Sequence, residues 1–164
     1  MNVTKHFAAT SFVLALIATT SAFAAPPSAT LPSVGTLTIP TPFGSSPVVA
    51  WSWGASNSGS LVVGGHPNIQ DLSLTRYTDG QSPLFFKYVA EGTHLPAAVL
   101  VDGSTTIALA DVLVSSYSTA IGSSTGNSAQ TQPRTENITF EFAQITYTVN
   151  GVTTCFNVKT QKSC

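Results

Sequence analysis

The chain has 164 residues, 43% hydrophobic and only 8% charged, with a formal net charge of -1. That length suits one domain around a single core, and the near-neutral balance excludes the basic footprint of a nucleic-acid binder. Charged residues fall far below the roughly 25% usual in globular proteins. Ser, Thr, Asn, Gln and Gly must therefore cover the surface, which leaves little charge repulsion against self-association and few gatekeeper charges on strand edges.

The first segment reads as an export signal. Lys5 gives MNVTKHF a positive start, Ala8–Thr20 is an apolar run, and Ala22-Phe23-Ala24 has the small-x-small pattern of a cleavage site. Cleavage after Ala24 leaves Ala25 as the new N-terminus, whereas a cut after Ala25 would set Pro26 beside the scissile bond. The apolar run is short for a hydrocarbon layer of roughly 30 Å, and no later segment reads as a membrane span. The mature protein is expected to be exported, to the periplasm or beyond the cell. Residues 1–24 are the signal, 25–34 a flexible Pro/Ser-rich leader, and 35–164 a single domain.

Gly35–Ile39 reads as a short first strand stopped by Pro40 and Pro42. In Val48–Trp53, strict alternation sets Val49, Trp51 and Trp53 on one face and Val48, Ala50 and Ser52 on the other. Two indoles two residues apart need a large cover and a partner for each N–H; they are core or interface filler, with a carbohydrate-stacking platform as the functional alternative. Ser56–Ser60 is a polar loop, Leu61–Val63 a candidate short strand, Gly64-Gly65-His66-Pro67 a turn, and Asn68–Tyr77 a strand with Leu72 and Leu74 on one face.

A helix follows over Ser82–Glu91: Ser82 suits the N-cap, Pro83 the first helical position and Gly92 the stop. Leu84, Phe85, Tyr88 and Val89 form its apolar stripe, so it caps or plugs a β core. Ala97–Val101 and Thr105–Leu109 flank the hairpin signal Asp102-Gly103-Ser104, and Asp111–Ser118 is a further strand. Thr119–Gln132 is a long polar loop. In Glu136–Val149, Ile138, Phe140 and Phe142 share one face, while Ile145, Tyr147 and Val149 continue in the opposite phase. That slip predicts a bulge or sharp bend at Ala143-Gln144. Asn150-Gly151 then turns the chain into Val152–Lys159. The sum is a mainly β protein, an antiparallel barrel or sandwich of two sheets with one short helix at the side.

The two cysteines, Cys155 and Cys164, read as a disulfide in an exported chain, pinning the tail by roughly 2–3 kcal/mol. Catalytic signals are thin. Gly122-Ser123-Ser124-Thr125-Gly126 matches G-x-S-x-G but has neither the strand before it nor the helix after it that a nucleophile elbow requires. His66 and His94 lie by turns, and no spacing draws either toward Asp71, Asp79, Glu91, Asp102, Asp111, Glu136 or Glu141 as a triad or metal site. His94 is read as making a structural hydrogen bond. Asp71 with Arg76, and Arg134 with Glu136, are read as local ion pairs. Asn137-Ile138-Thr139 matches a glycosylation pattern inside a predicted strand. No catalytic residue, metal or cofactor is expected.

Taken in order, VAWSWG at Val49–Gly54, IQDLSLTRY at Ile69–Tyr77 with Ser82-Pro83-Leu84, GTHLPAAVL at Gly92–Leu100, DVLVSSYS at Asp111–Ser118 and RTENITFEFAQITYTV at Arg134–Val149 resemble the Hcp family, the haemolysin-coregulated tube proteins of bacterial type VI secretion. The resemblance runs from roughly Gly35 to Ser163. It implies a two-sheet β-barrel with a helix at its side. Six copies would close into a ring, rings would stack into a tube that carries effectors, and spike or effector proteins would be further partners. It also implies that the Thr119–Gln132 region helps pack subunits or rings. The export signal, Pro40 and Pro42 in the first strand region, and the two cysteines are departures from the family pattern. The alternative function is an exported barrel that binds glycan or a cell surface through Trp51 or Trp53; an enzyme ranks third.

Overall fold

The alternating segments close on themselves. A computed structural model describes residues 31–59, 65–120 and 133–164. The segment read as an export signal with Ala24 and Ala25 at its cleavage site, the expected leader up to residue 30, Leu61–Val63, the Gly122–Gly126 string and residues 121–132 of the expected polar loop lie outside the described residues. The elements are β1 Gly35–Ile39, β2 Gly44–Ser52, β3 Ala55–Asn57, β4 Pro67–Ile69, β5 Leu72–Tyr77, α1 Ser82–Glu91, β6 His94–Asp102, β7 Thr105–Ala120, β8 Thr135–Val149, β9 Val152–Asn157 and β10 Lys162–Ser163. Strands run β8-β5-β2-β1-β6-β7, and β7 pairs back onto β8, so six antiparallel strands form a closed barrel. Closure pairs each of these six strands on both sides, so the barrel itself has no open edge to protect. Beyond the end of β5, β9 and β10 extend the sheet from β8, while β3 and β4 make a separate hairpin.

Turn chemistry sets the register. Asp102 pairs with Thr105 across Gly103-Ser104, where Gly103 takes φ 55. Asn150 and Gly151 both adopt positive φ, 50 and 80, as a type I′ hairpin requires. Gly35 is fixed for a different reason: a Cβ there would lie 2.5 Å from the Val101 carbonyl oxygen, so only glycine lets β1 approach β6 at its start.

Several readings from the sequence change in the folded chain, among them the Ser56–Ser60 loop, whose first two residues belong to β3. Asn68–Tyr77 is two strands, β4 and β5, interrupted at Gln70-Asp71. Thr105–Leu109 and Asp111–Ser118 are one strand, because Asp111 takes φ 52 without shifting the ladder: Ala110 pairs with Gln144 and Val112 with Phe142 in one continuous register. The strict alternation assumed for Val48–Trp53 is broken by a bulge at Val49. Val48 is therefore buried opposite Arg76, and Trp51 and Trp53 also pack on the core instead of opposing it.

The phase slip foreseen in β8 is present and spans three strands. Leu95, Val112 and Phe142 form one inward row, Ala98, Leu109 and Ile145 the next, and between them lie Pro96, Asp111 and Ala143. All three strands exchange faces at the same level, a corner where the ladders skip Pro96, Asp111 and Ala143; the register is the same on either side, so the slip comes without the bulge that the sequence offered as one way to make it.

The helix bounds agree with the sequence reading, but Ser82 does not cap it. Gln81 occupies the N-cap with αR backbone angles. Ser82 is buried, and its Oγ accepts from the Asp79 amide at 2.9 Å, while Asp79 Oδ1 accepts from the Gln81 amide at 2.7 Å. Gly92 ends the helix at φ 63, and the Thr93 amide returns to the Tyr88 carbonyl at 3.1 Å, a Schellman closure. α1 plugs the barrel with Phe85, which has no exposed surface and meets Phe43 at 4.6 Å and Phe140 at 6.4 Å between ring centroids. Phe85→Ala is expected to destabilise the fold by about 3–5 kcal/mol through lost burial and a residual cavity, read as a fall in the urea midpoint at unchanged m-value.

Candidate assembly surfaces

The residues singled out for chemistry meet in pairs at different places rather than at one site. His66 Nδ1 lies 3.5 Å from Gln161 Oε1 at the surface. His94 makes the structural hydrogen bond expected of it: Nδ1 is 2.7 Å from Asp111 Oδ1, and Lys159 Nζ donates to Asp111 Oδ2 at 2.5 Å. The three polar groups border a shallow depression of about 240 Å³ floored by Leu113, Phe142, Ala143 and Val158. No Ser or Cys lines it, so a His and a carboxylate meet there without a nucleophile. Among the described residues no cluster of three His, Cys, Asp or Glu side chains is arranged to hold a metal.

The Lys159 and His94 contacts hold the Asp111 carboxyl below the usual carboxylate range. A depressed folded pKa stabilises above the unfolded value near 3.8 and is lost as pH falls through the folded one. The tie from the C-terminal tail to the barrel corner should therefore weaken in acid. The protection of β9 and β10 amides, with exchange rates corrected for the intrinsic pH dependence, is expected to fall as pH drops below the usual carboxylate range in the wild type, and Asp111→Asn should remove that step.

Arg76 and Glu136 correct the ion-pair reading. Both are fully buried, and they pair with each other across β5 and β8, Nη1 to Oε1 at 3.5 Å. Asp79 also meets Arg76, and the guanidinium lies 5.1 Å from the Phe85 ring centroid. Asp71 instead accepts from Ser115 Oγ at 3.3 Å. Tyr117 donates to Glu136 Oε2 at 3.0 Å; burial and that carboxylate push its phenol above the usual range. The guanidinium nitrogens and Glu136 Oε1 lack aligned hydrogen bonds, so the contact is mainly one of charge. The signal was in the alternation: Arg76 continues the inward phase of Leu72 and Leu74, and Glu136 that of Ile138 and Phe140.

The tryptophans do not form a platform. Trp51 Nε1 donates to Asp102 Oδ2 at 2.9 Å, Trp53 stands edge-on to Tyr147 with centroids 5.3 Å apart, and both are half-buried against the core. The structure joins Cys155 to Cys164, with Cα atoms 5.4 Å apart. Asn137 of the Asn-Ile-Thr pattern faces outward from β8 and accepts from Thr75 Oγ1 at 2.7 Å.

What remains prominent is the outside of the barrel. On one wall, strand pairing lines up Thr36, Val101, Thr106, Thr148 and Thr153 in a row. The next row is Thr38, Val99, Ala108, Thr146 and Cys155. On the other wall the rows are Ala50-Thr75-Asn137-Ser118 and Ser52-Ser73-Thr139-Ser116. None of these positions is charged. The first wall is mostly β-branched, with threonine at six of these ten positions; the second is small and polar, with Ser73 and Thr139 hydroxyls 3.2 Å apart. Charges lie instead at the helix, the corner and the tail, as with Lys87 and Glu91, Asp111 and Glu141, Lys159 and Lys162, and at the wall margins, where Asp102 ends β6 and Asp71 precedes β5.

The described residues thus form a closed barrel plugged by one helix, with two outward faces whose paired rows carry no charge. The chain belongs to the Hcp family of type VI secretion: residues 35–149 match the family model described as "Type VI secretion system effector, Hcp". It is 39% identical over 87 residues to "Protein hcp1" of Pseudomonas aeruginosa, a match covering 48% of this chain and 50% of that one. The chain thus spans about half the length of the curated relative it matches. In fold it resembles Hcp1 from Salmonella typhimurium, with TM-score 0.63, 20% identity and coverage of 79% and 98% of the two chains. It also resembles a type six secretion system protein, with TM-score 0.68, 17% identity and coverage of 80% and 100%. Among the described residues no helix is long and apolar enough to cross a membrane.

Proposed function

We propose that this protein is an exported, non-enzymatic structural member of the family. The 1–24 segment directs export and is removed after Ala24, residues 25–34 form a leader, and the 35–164 domain assembles six to a ring outside the cytoplasm. Spike or effector proteins of a secretion machine are its further partners. The supporting observation is the pair of barrel walls without charge: each offers β-strand surface that a neighbouring copy can cover without desolvating an ion. The family match favours the ring over a glycan-binding barrel, and the engaged Trp51 and Trp53 side chains weigh against the latter. Light scattering on the protein recovered from the exported fraction should give a six-copy mass. A strictly monomeric species at high concentration would overturn the reading.

A further inference from the structure

We propose that Asn150-Gly151 is a site of spontaneous covalent modification. There the chain converts its own asparagine to aspartate or isoaspartate, and the product excludes old copies from the assembly; the exclusion, though not the chemistry, rests on the reading of self-assembly above. Asn150 is the only asparagine followed by glycine in the sequence. Both residues are exposed at the tip of the β8–β9 hairpin, with φ of 50 and 80. The hairpin ladder closes at Val149 and Val152 and leaves the Gly151 amide out. A Cβ on Gly151 would meet nothing within 4 Å, so its nitrogen stands open to water with no side chain of its own to shield it. The other described asparagines are hindered. The side-chain oxygens of Asn57, Asn137 and Asn157 accept from the Gly59 amide at 2.9 Å, Thr75 Oγ1 at 2.7 Å and the Thr160 amide at 2.9 Å. Asn68 precedes the branched Ile69.

The reaction needs only water. The Gly151 nitrogen gives its proton to hydroxide and attacks Asn150 Cγ; the bond from Cγ to the side-chain nitrogen breaks, and ammonia leaves. Water then opens the cyclic imide. Opening at the side-chain carbonyl gives aspartate; opening at the main-chain carbonyl gives isoaspartate, whose backbone is one carbon longer. One water is consumed and one ammonia released, with no change of oxidation state. Either product sets a carboxylate at the end of a wall whose rows carry none, beside Val152, which is 78% exposed. Isoaspartate also lengthens a turn in which the Asn150 amide reaches the Ser104 carbonyl at 3.2 Å, so it disturbs both hairpin tips at that end. A copy docking over this end must then desolvate a charge.

The test ages purified protein in warm, mildly alkaline buffer beside a free peptide of the Thr148–Thr153 sequence. Intact mass and peptide mapping read the modification, and sedimentation velocity reads assembly. The protein segment spanning Asn150 should gain about one mass unit, at a rate within about tenfold of the free peptide's and with circular dichroism unchanged. Asn150→Gly, which suits the positive φ, should gain nothing there. Conversion of the free peptide while Asn150 of the protein stays intact, or faster conversion at Asn57, overturns the site. In the aged sample, modified chains should be at least about threefold enriched among unassembled species, and Asn150→Asp should shift fresh protein the same way. An equal distribution of modified chains overturns the exclusion and leaves the ring standing. Conversion at Asn150 in a protein that never assembles, even fresh, upholds the site and overturns the ring and the exclusion together.

Discussion

Glu136→Ala is expected to lower the unfolding free energy by about 3–5 kcal/mol, the usual cost of stranding one member of a buried ion pair. Arg76 is fully buried beneath α1 and packed on Phe85. Without Glu136, its charge inside the barrel would be balanced only by Asp79, which is two-fifths exposed. The Tyr117 hydroxyl would lose its acceptor as well. Against a total stability of about 5–15 kcal/mol for a domain, the loss is large. The paired replacement Arg76→Met with Glu136→Leu should behave differently, near neutral or stabilising, because it removes both desolvation costs together. Urea titration followed by tryptophan fluorescence checks both variants. A cost below about 1 kcal/mol for Glu136→Ala would mean that water reaches the pair.

That pair also marks where the sequence was and was not sufficient. Segments with regular turn chemistry were legible: the hairpins at Gly103-Ser104 and Asn150-Gly151, the helix ending at Gly92, and the phase slip at Ala143. Each follows from local rules that tertiary contacts reinforce. What escaped were features that depend on a neighbour across the sheet. Val49 bulges because its partner strand fixes Val48 opposite Arg76 and Ala50 opposite Thr75. Arg76 meets Glu136 because β5 and β8 bring residues sixty apart in the chain into register. Ser82 turns its hydroxyl back to the Asp79 amide, which shifts the cap to Gln81. The uncharged walls were implied by the 8% charge content, but their positions required the strand order.

The second large expected effect falls on assembly and spares the fold. Ala108 sits mid-wall, between Val99 of β6 and Thr146 of β8. Ala108→Lys adds one outward charge to a row that has none, at a site where the long side chain can reach solvent in the free subunit. Monomer stability should change by no more than about 0.5 kcal/mol. A copy docking on that wall would have to bury the ammonium unpaired, at a cost of several kcal/mol. The half-assembly concentration should rise by about a hundredfold or more. Thr75→Lys is the counterpart on the small polar wall, and comparing the two shows which wall carries more of the contact.

The most direct measurement is a cryo-electron microscopy map of the purified protein at high concentration with its disulfide intact. The map is predicted to show ring-shaped particles in which the wall carrying Thr36, Val101, Thr106, Thr148 and Thr153 lies against a neighbouring copy. Rings held together by the charged helix and corner, with that wall facing solvent, would contradict it, as would a field of single barrels.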